Sequence, residues 1–478
     1  MNVKSKISTN RKRPFSNLIV GLLALLLTYQ TGYAQYEANY VELRAEGRIP
    51  DDFLNLVRGQ SKINIRNTER ISKVQRENFR DATNFALRDI FTNGNIYFND
   101  PMTAYVRTIG EKLVKNSKVE NKINFFVSKS TELNASSWQT GTVIINIGLL
   151  SRLENEAQLA YVLAHEIAHF QMQHPYRQYA QQIKNKEMTH GSHLAKNFRE
   201  HFDFSLKYEL EADSIALAIM KEKDYEVNES IKTLNILQHK EQRDVVNLTN
   251  YYSSPSFQLE ENQLCDYKGY SAFKKSVFQV ADAHFSGHHI KKRIKNLVDI
   301  VSRDYPEKED LYSFKGSHYD PALFTNASKM AHFETIQQAF LESNYLKSIH
   351  EAMILIRDFP NNEFLHVKIA ENLYHISHYN KLGLLDRIFF DNQRIDENEY
   401  AKLCCLVNNL NQSDLQNMIH GFIKKLYKDY STNETMIITM AKSMEMNTDI
   451  KMAKPYYKKY VRLFPYGKHY LEAKRKIK

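Results

Sequence analysis

The sequence predicts a mainly α-helical protein with one small β-sheet, arranged as a mixed domain followed by an all-helical one. Three observations carry this. Helical apolar spacing recurs through Phe79, Ala82, Ala86, Leu87 and Ile90, again over 154–174 and again over 201–222. Only two short runs, Ile123 to Val127 and Thr142 to Ile147, are β-rich. Past about residue 330, helix-forming stretches follow one another with no strand-like run between them. A length of 478 residues leaves room for two or three domains, each with a core of its own.

In chain order, residues 1–34 read as a secretory signal peptide. Lys4, Lys6, Arg11, Lys12 and Arg13 precede an apolar run from Leu18 to Leu27, and Gly32 and Ala34 stand at the −3 and −1 positions before Gln35. That run is shorter than the roughly 17–25 residues a spanning helix needs. No cysteine lies near the cut, which excludes a lipid-anchored terminus, and no later stretch is apolar enough to span. The mature chain is therefore expected to have no transmembrane span. The formal charge is +10, of which five basic residues sit in the signal. The rest reads as a mild, scattered excess, and no nucleic-acid partner is expected. The three cysteines, Cys265, Cys404 and Cys405, make no disulfide framework.

Residues 35–92 are expected to form an N-terminal helical segment. After Gly94-Asn95, Asp100-Pro101 opens a helix with Tyr105, Ile109 and Leu113 on its apolar face. The two β-runs follow, separated by a loop from Asn134 to Gly141 that carries the only tryptophan, Trp138, read as a core residue. A helix from Glu154 to His174 comes next, then a polar, basic stretch and the helix over 201–222. The mixed domain is placed at 93–302. Tyr305-Pro306, Gly316 and Pro321 mark a linker at 303–329, and 330–478 is the helical domain. There Phe359-Pro360 and Phe464-Pro465 close two similar stretches, their prolines 105 residues apart. Ser348, Ala352 and Leu355 in one stretch match Ala453, Tyr457 and Tyr460 in the other. This spacing is close to three periods of the roughly 34-residue tetratricopeptide repeat. An irregular helical bundle is the alternative.

The chemistry is concentrated in Leu163-Ala164-His165-Glu166-Ile167-Ala168-His169-Phe170. Positions four apart share a helix face, so His165 and His169 can converge on one ion with Glu166 beside them. Two histidines and a glutamate on a solvated helix would need no metal. Here the flanking residues are uncharged, so the helix is expected to be buried, and burying these groups without pairing or a metal would be strongly destabilising. A third ligand is expected from Glu209-Leu210-Glu211-Ala212-Asp213. Glu209 and Asp213 share a face while Glu211 points elsewhere, which assigns Glu209 to the metal and Asp213 to the far ring nitrogen of a ligand histidine. Two imidazoles and a carboxylate with one open position suit a single Zn2+ per chain. Glu166 is then the base that activates the attacking water.

Between about Asp100 and Leu297 the chain resembles the gluzincin metallopeptidases, the family that includes HtpX, the CAAX prenyl protease and the periplasmic BepA-type enzymes. The resemblance rests on Pro101, Tyr105-Val106, Ile109-Gly110, Leu113, Asn134-Ala135, Val143-Ile144-Ile145-Asn146, Gly148-Leu149-Leu150, Glu154-Asn155-Glu156, Leu159-Ala160, the histidine helix and Glu209-x-Glu211-Ala212-Asp213. It implies a zincin-type metallopeptidase domain. With a signal peptide ahead and repeat-like helices behind, the layout is similar to the BepA arrangement. That arrangement implies a periplasmic endopeptidase, free or associated with the outer membrane, with unfolded or misassembled envelope proteins as substrates and protein partners docked on the repeats. The alternative it implies is an assembly factor or chaperone with latent peptidase activity. The family also carries a histidine six positions before an arginine that lines the active site. Ser286 to Ile294 keeps Arg293 but puts Gly287 at that offset, which leaves His288 as the candidate oxyanion donor or gating ligand. Substrate is expected to lie as a strand along Val143, Ile144, Ile145 and Asn146. His174 is read as a capping or packing residue, and His201, His284 and His289 as surface.

Overall fold

The computed structural model describes residues 36–185, 204–238, 287–305, 321–385 and 411–478, apart from 37, 45–46, 60–62, 64 and 67–68. The predicted signal peptide, the three cysteines, His201 and His284 lie outside these residues, and so does the side chain of His288.

The expected helix over 36–90 is broken: its described residues include α1 (Asp51–Val57) and α2 (Lys73–Thr92) with non-helical chain between them. Pro50 immediately precedes α1, and Gly59 in the left-handed region (φ +64°) follows it. A capping box at Ser72 starts α2: its hydroxyl accepts from the Gln75 amide while the Gln75 side chain accepts from the Ser72 amide.

Asp100 caps α3 (Pro101–Val114) by accepting from the Thr103 amide at 2.8 Å, and Pro101 needs no amide partner in the first turn. The buried stripe Met102, Val106, Ile109 and Leu113 turns toward the sheet. Gly110 permits the close approach of α3 to it, since a Cβ there would stand 2.5 Å from the Phe125 ring.

Among the described residues the sheet has three strands in the order β1 (Asn124–Ser128), β3 (Thr142–Asn146), β2 (Ala135–Trp138), with β3 parallel to β1 and antiparallel to β2. The stretch expected to be a loop around Trp138 is thus strand β2. Ala-Ser-Ser-Trp has little β-branched character of its own and is a strand because it pairs with β3. Gly148 in the short helix α4 (Ile147–Leu150) is fixed by crowding, because a Cβ there would meet the Thr131 carbonyl at 2.2 Å. Asn155 then caps the buried α5 (Glu156–Gln171). The helix ends before His174: Gln173 takes a left-handed conformation (φ 57°) and the chain re-enters a helix as α6 (His174–Lys184). The mixed domain is completed by α7 (Leu206–Glu222), α8 (Glu229–Gln238) and α9 (Gly287–Asp304).

The predicted linker at 303–329 is shorter than expected, because α10 (Pro321–Leu341) begins inside it with proline in its first turn. It pairs with α11 (Tyr345–Ile356) and is followed by α12 (Glu363–Lys381), α13 (Gln412–Asp429), α14 (Glu434–Asn447), α15 (Ile450–Leu463) and α16 (Tyr470–Ile477). Ser348, Ala352, Leu355, Ala453, Tyr457 and Tyr460 are all fully buried.

The two regions share one core. A single cluster of buried side chains runs from Val106, Leu150 and Leu163 to Phe333, Leu355 and Met440. Buried polar groups cross the same boundary. Arg152 clasps both carboxylate oxygens of Glu351, one through Nη1 at 3.0 Å, and His332 Nε2 lies 2.7 Å from Glu351 Oε2. Glu334 on α10 accepts from the hydroxyls of Tyr40 (2.6 Å) and Tyr97 (2.7 Å) and from the Leu43 amide (2.7 Å). Tyr40 stacks on Phe333 with ring centres 4.4 Å apart, so the segment from Tyr36 to Leu43 is laid onto α10.

Candidate metal centre

Helix α5 presents His165 and His169 one turn apart, as their spacing dictates, and α7 crosses α5 to bring Glu209 to both. His165 Nε2 lies 3.0 Å from His169 Nε2, while Glu209 oxygens lie 3.5 Å from His165 Nε2 and 3.6 Å from His169 Nε2. Donors at about 2.0–2.1 Å from a tetrahedral zinc ion would be roughly 3.3 Å from one another. The three atoms therefore fit the group that the sequence implies, and one donor atom from each residue lies within 4.8 Å of the other two.

The outer ring nitrogens are also engaged. Asp213 Oδ1 lies 2.9 Å from His165 Nδ1, and the same fully buried carboxylate accepts from Tyr161 Oη (2.7 Å) and from Arg293 Nη2 (2.7 Å) and Nε (2.9 Å). His169 Nδ1 lies 2.9 Å from His174 Nδ1, and His174 Nε2 lies 3.2 Å from Glu211 Oε2. Burial holds His174 down at about 4, against the opposing pull of Glu211. As a neutral ring it accepts from His169 through Nδ1 and donates to Glu211 through Nε2. That leaves the Nε2 lone pair of His169 facing the ligand cluster. Phe204 stacks on His169 and Tyr208 on His174, with ring centres 4.1 and 4.6 Å apart.

His174 therefore acts where a packing residue was expected. Five positions is no face spacing on one helix, and the turn at Gln173 is what returns its ring to His169. Tyr161, Phe204 and Tyr208 carried no signal in the sequence. Glu211 points away from the ligand cluster, as its offset from Glu209 requires, and its partners are His174 and Arg177.

Charge balance around the cluster is set by Arg293 on α9, whose Nη1 lies 2.5 Å from Glu209 Oε2. Glu209 and Asp213 are both held below the ordinary carboxylate range: burial opposes this, but the Arg293 guanidinium and His165 outweigh it. Burial lowers His165 and Arg293 opposes its charging, yet Asp213 and Glu209 prevail and raise it to about 9 in the absence of a cation. His169, without a carboxylate on its outer nitrogen, is pushed down by burial and by His165. Glu166, 7% exposed, is pushed up to about 7 chiefly by burial.

These residues open on a cavity of about 470 Å³. Its walls are α5, the strand β2, Glu209, α9 through His289, Ile290 and Arg293, and α10 through Gln338. His289, expected at the surface, lines the cavity because α9 packs against α7 and α8. Trp138 is buried in a smaller, separate core with Phe79, Phe126 and Ile144, and also borders the cavity.

Val143 to Asn146 cannot receive a substrate strand as expected. β3 is the central strand and its backbone pairs on both sides, while Val143 and Ile145 face the main core. Only Ile144 and Asn146 border the cavity. The sheet edge on the cavity side is β2.

Residues 101–301 match peptidase family M48. Among curated proteins, the chain is 36% identical over 93 residues to the beta-barrel assembly-enhancing protease of Escherichia coli O157:H7, which is 19% of each chain. It is 29% identical over 106 residues to the protein of that name from Yersinia pestis, 22% of each chain. It is 31% identical over 99 residues to a putative one from Vibrio cholerae, 20% of each. The matches span about a fifth of the length of these relatives.

Proposed function

Residues 101–301 form a domain of peptidase family M48, and from that premise we propose that the chain is a zinc metalloendopeptidase acting on exported or envelope proteins. The observation that carries this is the convergence of His165, His169 and Glu209 within 4.8 Å, beside Glu166 and on an open cavity. His165, His169 and Glu209 would hold one Zn2+. When bound, zinc polarises the scissile carbonyl and acidifies a water molecule. Glu166 takes the proton of the attacking water and returns it to the leaving amine. Asp213 and His174 fix the ligand imidazoles, and Arg293 neutralises Asp213 and Glu209. His288, in the first turn of α9, is the candidate oxyanion donor, with His289 beside it on the cavity wall.

Substrate lies antiparallel or parallel to the open edge of β2, where main-chain hydrogen bonds favour extended, unfolded segments over folded ones. The relatives' printed name, a protease that enhances β-barrel assembly, supports envelope proteins as the substrate class and a periplasmic site of action. No helix among the described residues is long and apolar enough to cross a membrane. The test is cleavage of an unfolded protein by the purified chain and by Glu166→Gln, each with zinc content measured. Turnover should be lost in the variant with zinc retained, and equal cleavage by both would end the proposal.

The second reading, an assembly factor with latent peptidase activity, is favoured by Gln338 of α10 lining the cavity. Truncation at residue 330 cannot separate the two readings, because it cuts through α10 and the shared core. Substitutions on the exposed faces of α12 to α14 can: loss of assembly function with full peptide cleavage favours the second.

A further inference from the structure

We propose that the end of the molecule formed by α15, the turn after it and α16 is a membrane-surface contact that seats on anionic lipid. The charge of the chain is not scattered as it reads along the sequence. Residues 450–478 hold ten lysines and arginines against a single acid, Glu472, a net +9 where the whole chain carries +10.

Helical geometry sorts these residues onto outer faces. On α15, Lys451, Lys458 and Arg462 recur at intervals of seven and four and are exposed, while Ala453, Tyr457 and Tyr460 on the opposite face are buried in the core. On α16, Leu471, Lys474 and Arg475, continued by Lys478 just past its end, form a second exposed row opposite the buried Ala473. Among the described residues, Lys451, Lys458, Arg462, Lys468, Lys474, Arg475 and Lys478 form no salt bridge; Lys474 lies over the Tyr470 ring and Arg475 donates to the Leu471 carbonyl, but no acid neutralises any of the seven. The remaining lysines of α16 and α14 behave differently: Lys476 pairs with Glu445, and Lys442 with Glu472.

Apolar side chains stand among these cations. Tyr466, at the turn between the helices, is 99% exposed, Leu471 is 72% exposed and Met452 57%. Such exposure costs free energy in water. Against a bilayer it places apolar groups in the headgroup boundary while the cations meet lipid phosphates, and tyrosine suits that depth because one end of its ring is apolar and the other polar. A polyanion such as nucleic acid or an acidic protein segment would engage the cations but leave Leu471 and Met452 without a use. The observations therefore favour lipid.

The experiment is co-sedimentation of the full chain with phosphatidylcholine vesicles and with vesicles that also contain phosphatidylglycerol. Each cation near an anionic surface strengthens binding by about fivefold. The combined variant K458E/R462E/K474E/R475E should thus lose at least about 100-fold on the anionic vesicles. Y466S/L471S should lose binding that added salt does not account for. Both sets of residues are exposed, and peptide cleavage without vesicles and thermal unfolding should match the parent chain. No preference of the parent for anionic vesicles, or equal binding by the charge-reversed variant, overturns the proposal. It is also overturned if a single-stranded oligonucleotide or polyglutamate competes fully at equal charge and Y466S/L471S binds vesicles like the parent, since the surface would then read charge alone.

Discussion

The metal centre and the junction between the two regions are both buried clusters of histidine, glutamate and arginine. At the junction, Arg152 takes both oxygens of Glu351, His332 shares one of them, and all three side chains are at least nine-tenths buried. At the metal centre, Arg293 and Tyr161 are also spent on Asp213, yet the Nε2 atoms of His165 and His169 face each other and Glu209 across about 3.0–3.6 Å beside a cavity. The chemistry of the groups is the same, and what differs is where their lone pairs point. A cluster closed on itself holds elements together, whereas one whose outer nitrogens are fixed and inner nitrogens converge is prepared for a cation.

The comparison breaks most visibly through Glu166. Glu166→Gln should lower hydrolysis of an unfolded protein by about 10²–10⁴-fold with zinc content unchanged, because it removes a proton acceptor and no ligand. Zinc loss in step with activity would move Glu166 into the ligand set.

At the junction, Glu351→Ala leaves Arg152 buried without its carboxylate and should cost about 3–5 kcal/mol in urea unfolding. The paired replacement Arg152→Met with Glu351→Leu should restore most of it. A double variant as unstable as the single one would show that packing, rather than charge pairing, sets the cost.

His174→Ala should weaken zinc binding by about 10–100-fold, measured with a competing chelator, because His169 then loses the group that orients it. His174→Asn, able to accept through its side-chain carbonyl, should recover part of that loss. Unchanged affinity in His174→Ala returns the residue to a packing role.

The smallest effect is in pH. Arg152 and His332 outweigh burial and hold Glu351 well below the usual carboxylate range. Its stabilising contribution is then complete above the unfolded carboxyl value of about 4.3 and is lost as pH falls through the lower folded value. The stability gap between the parent and Glu351→Gln should narrow below about pH 4.3, and a gap that stays constant from neutral to acid pH removes the charge argument.

The pairing of His165 with His169 and of Glu209 with Asp213 on shared helix faces was readable because positions four apart lie one turn apart. His174 was not, because it depends on a left-handed turn at Gln173 that no local pattern announces. β2 was hidden for a related reason: its four residues owe their strand geometry to β3, and with β2 unseen, β3 was mistaken for the edge. The boundary between the regions was placed from a change in composition, which carries no information on packing, and it falls inside α10. Buried side chains such as Phe333 and Ser348 look alike whether they complete their own region's core or a neighbour's.

That shared packing has a consequence in time. Tyr40 and Glu334, joined in one buried network, are 294 residues apart in the chain. Contacts of such long range form late and slowly, and the cavity needs Gln338 as one of its walls. A chain whose last helices have not yet settled therefore has its histidines and glutamates without the finished cleft.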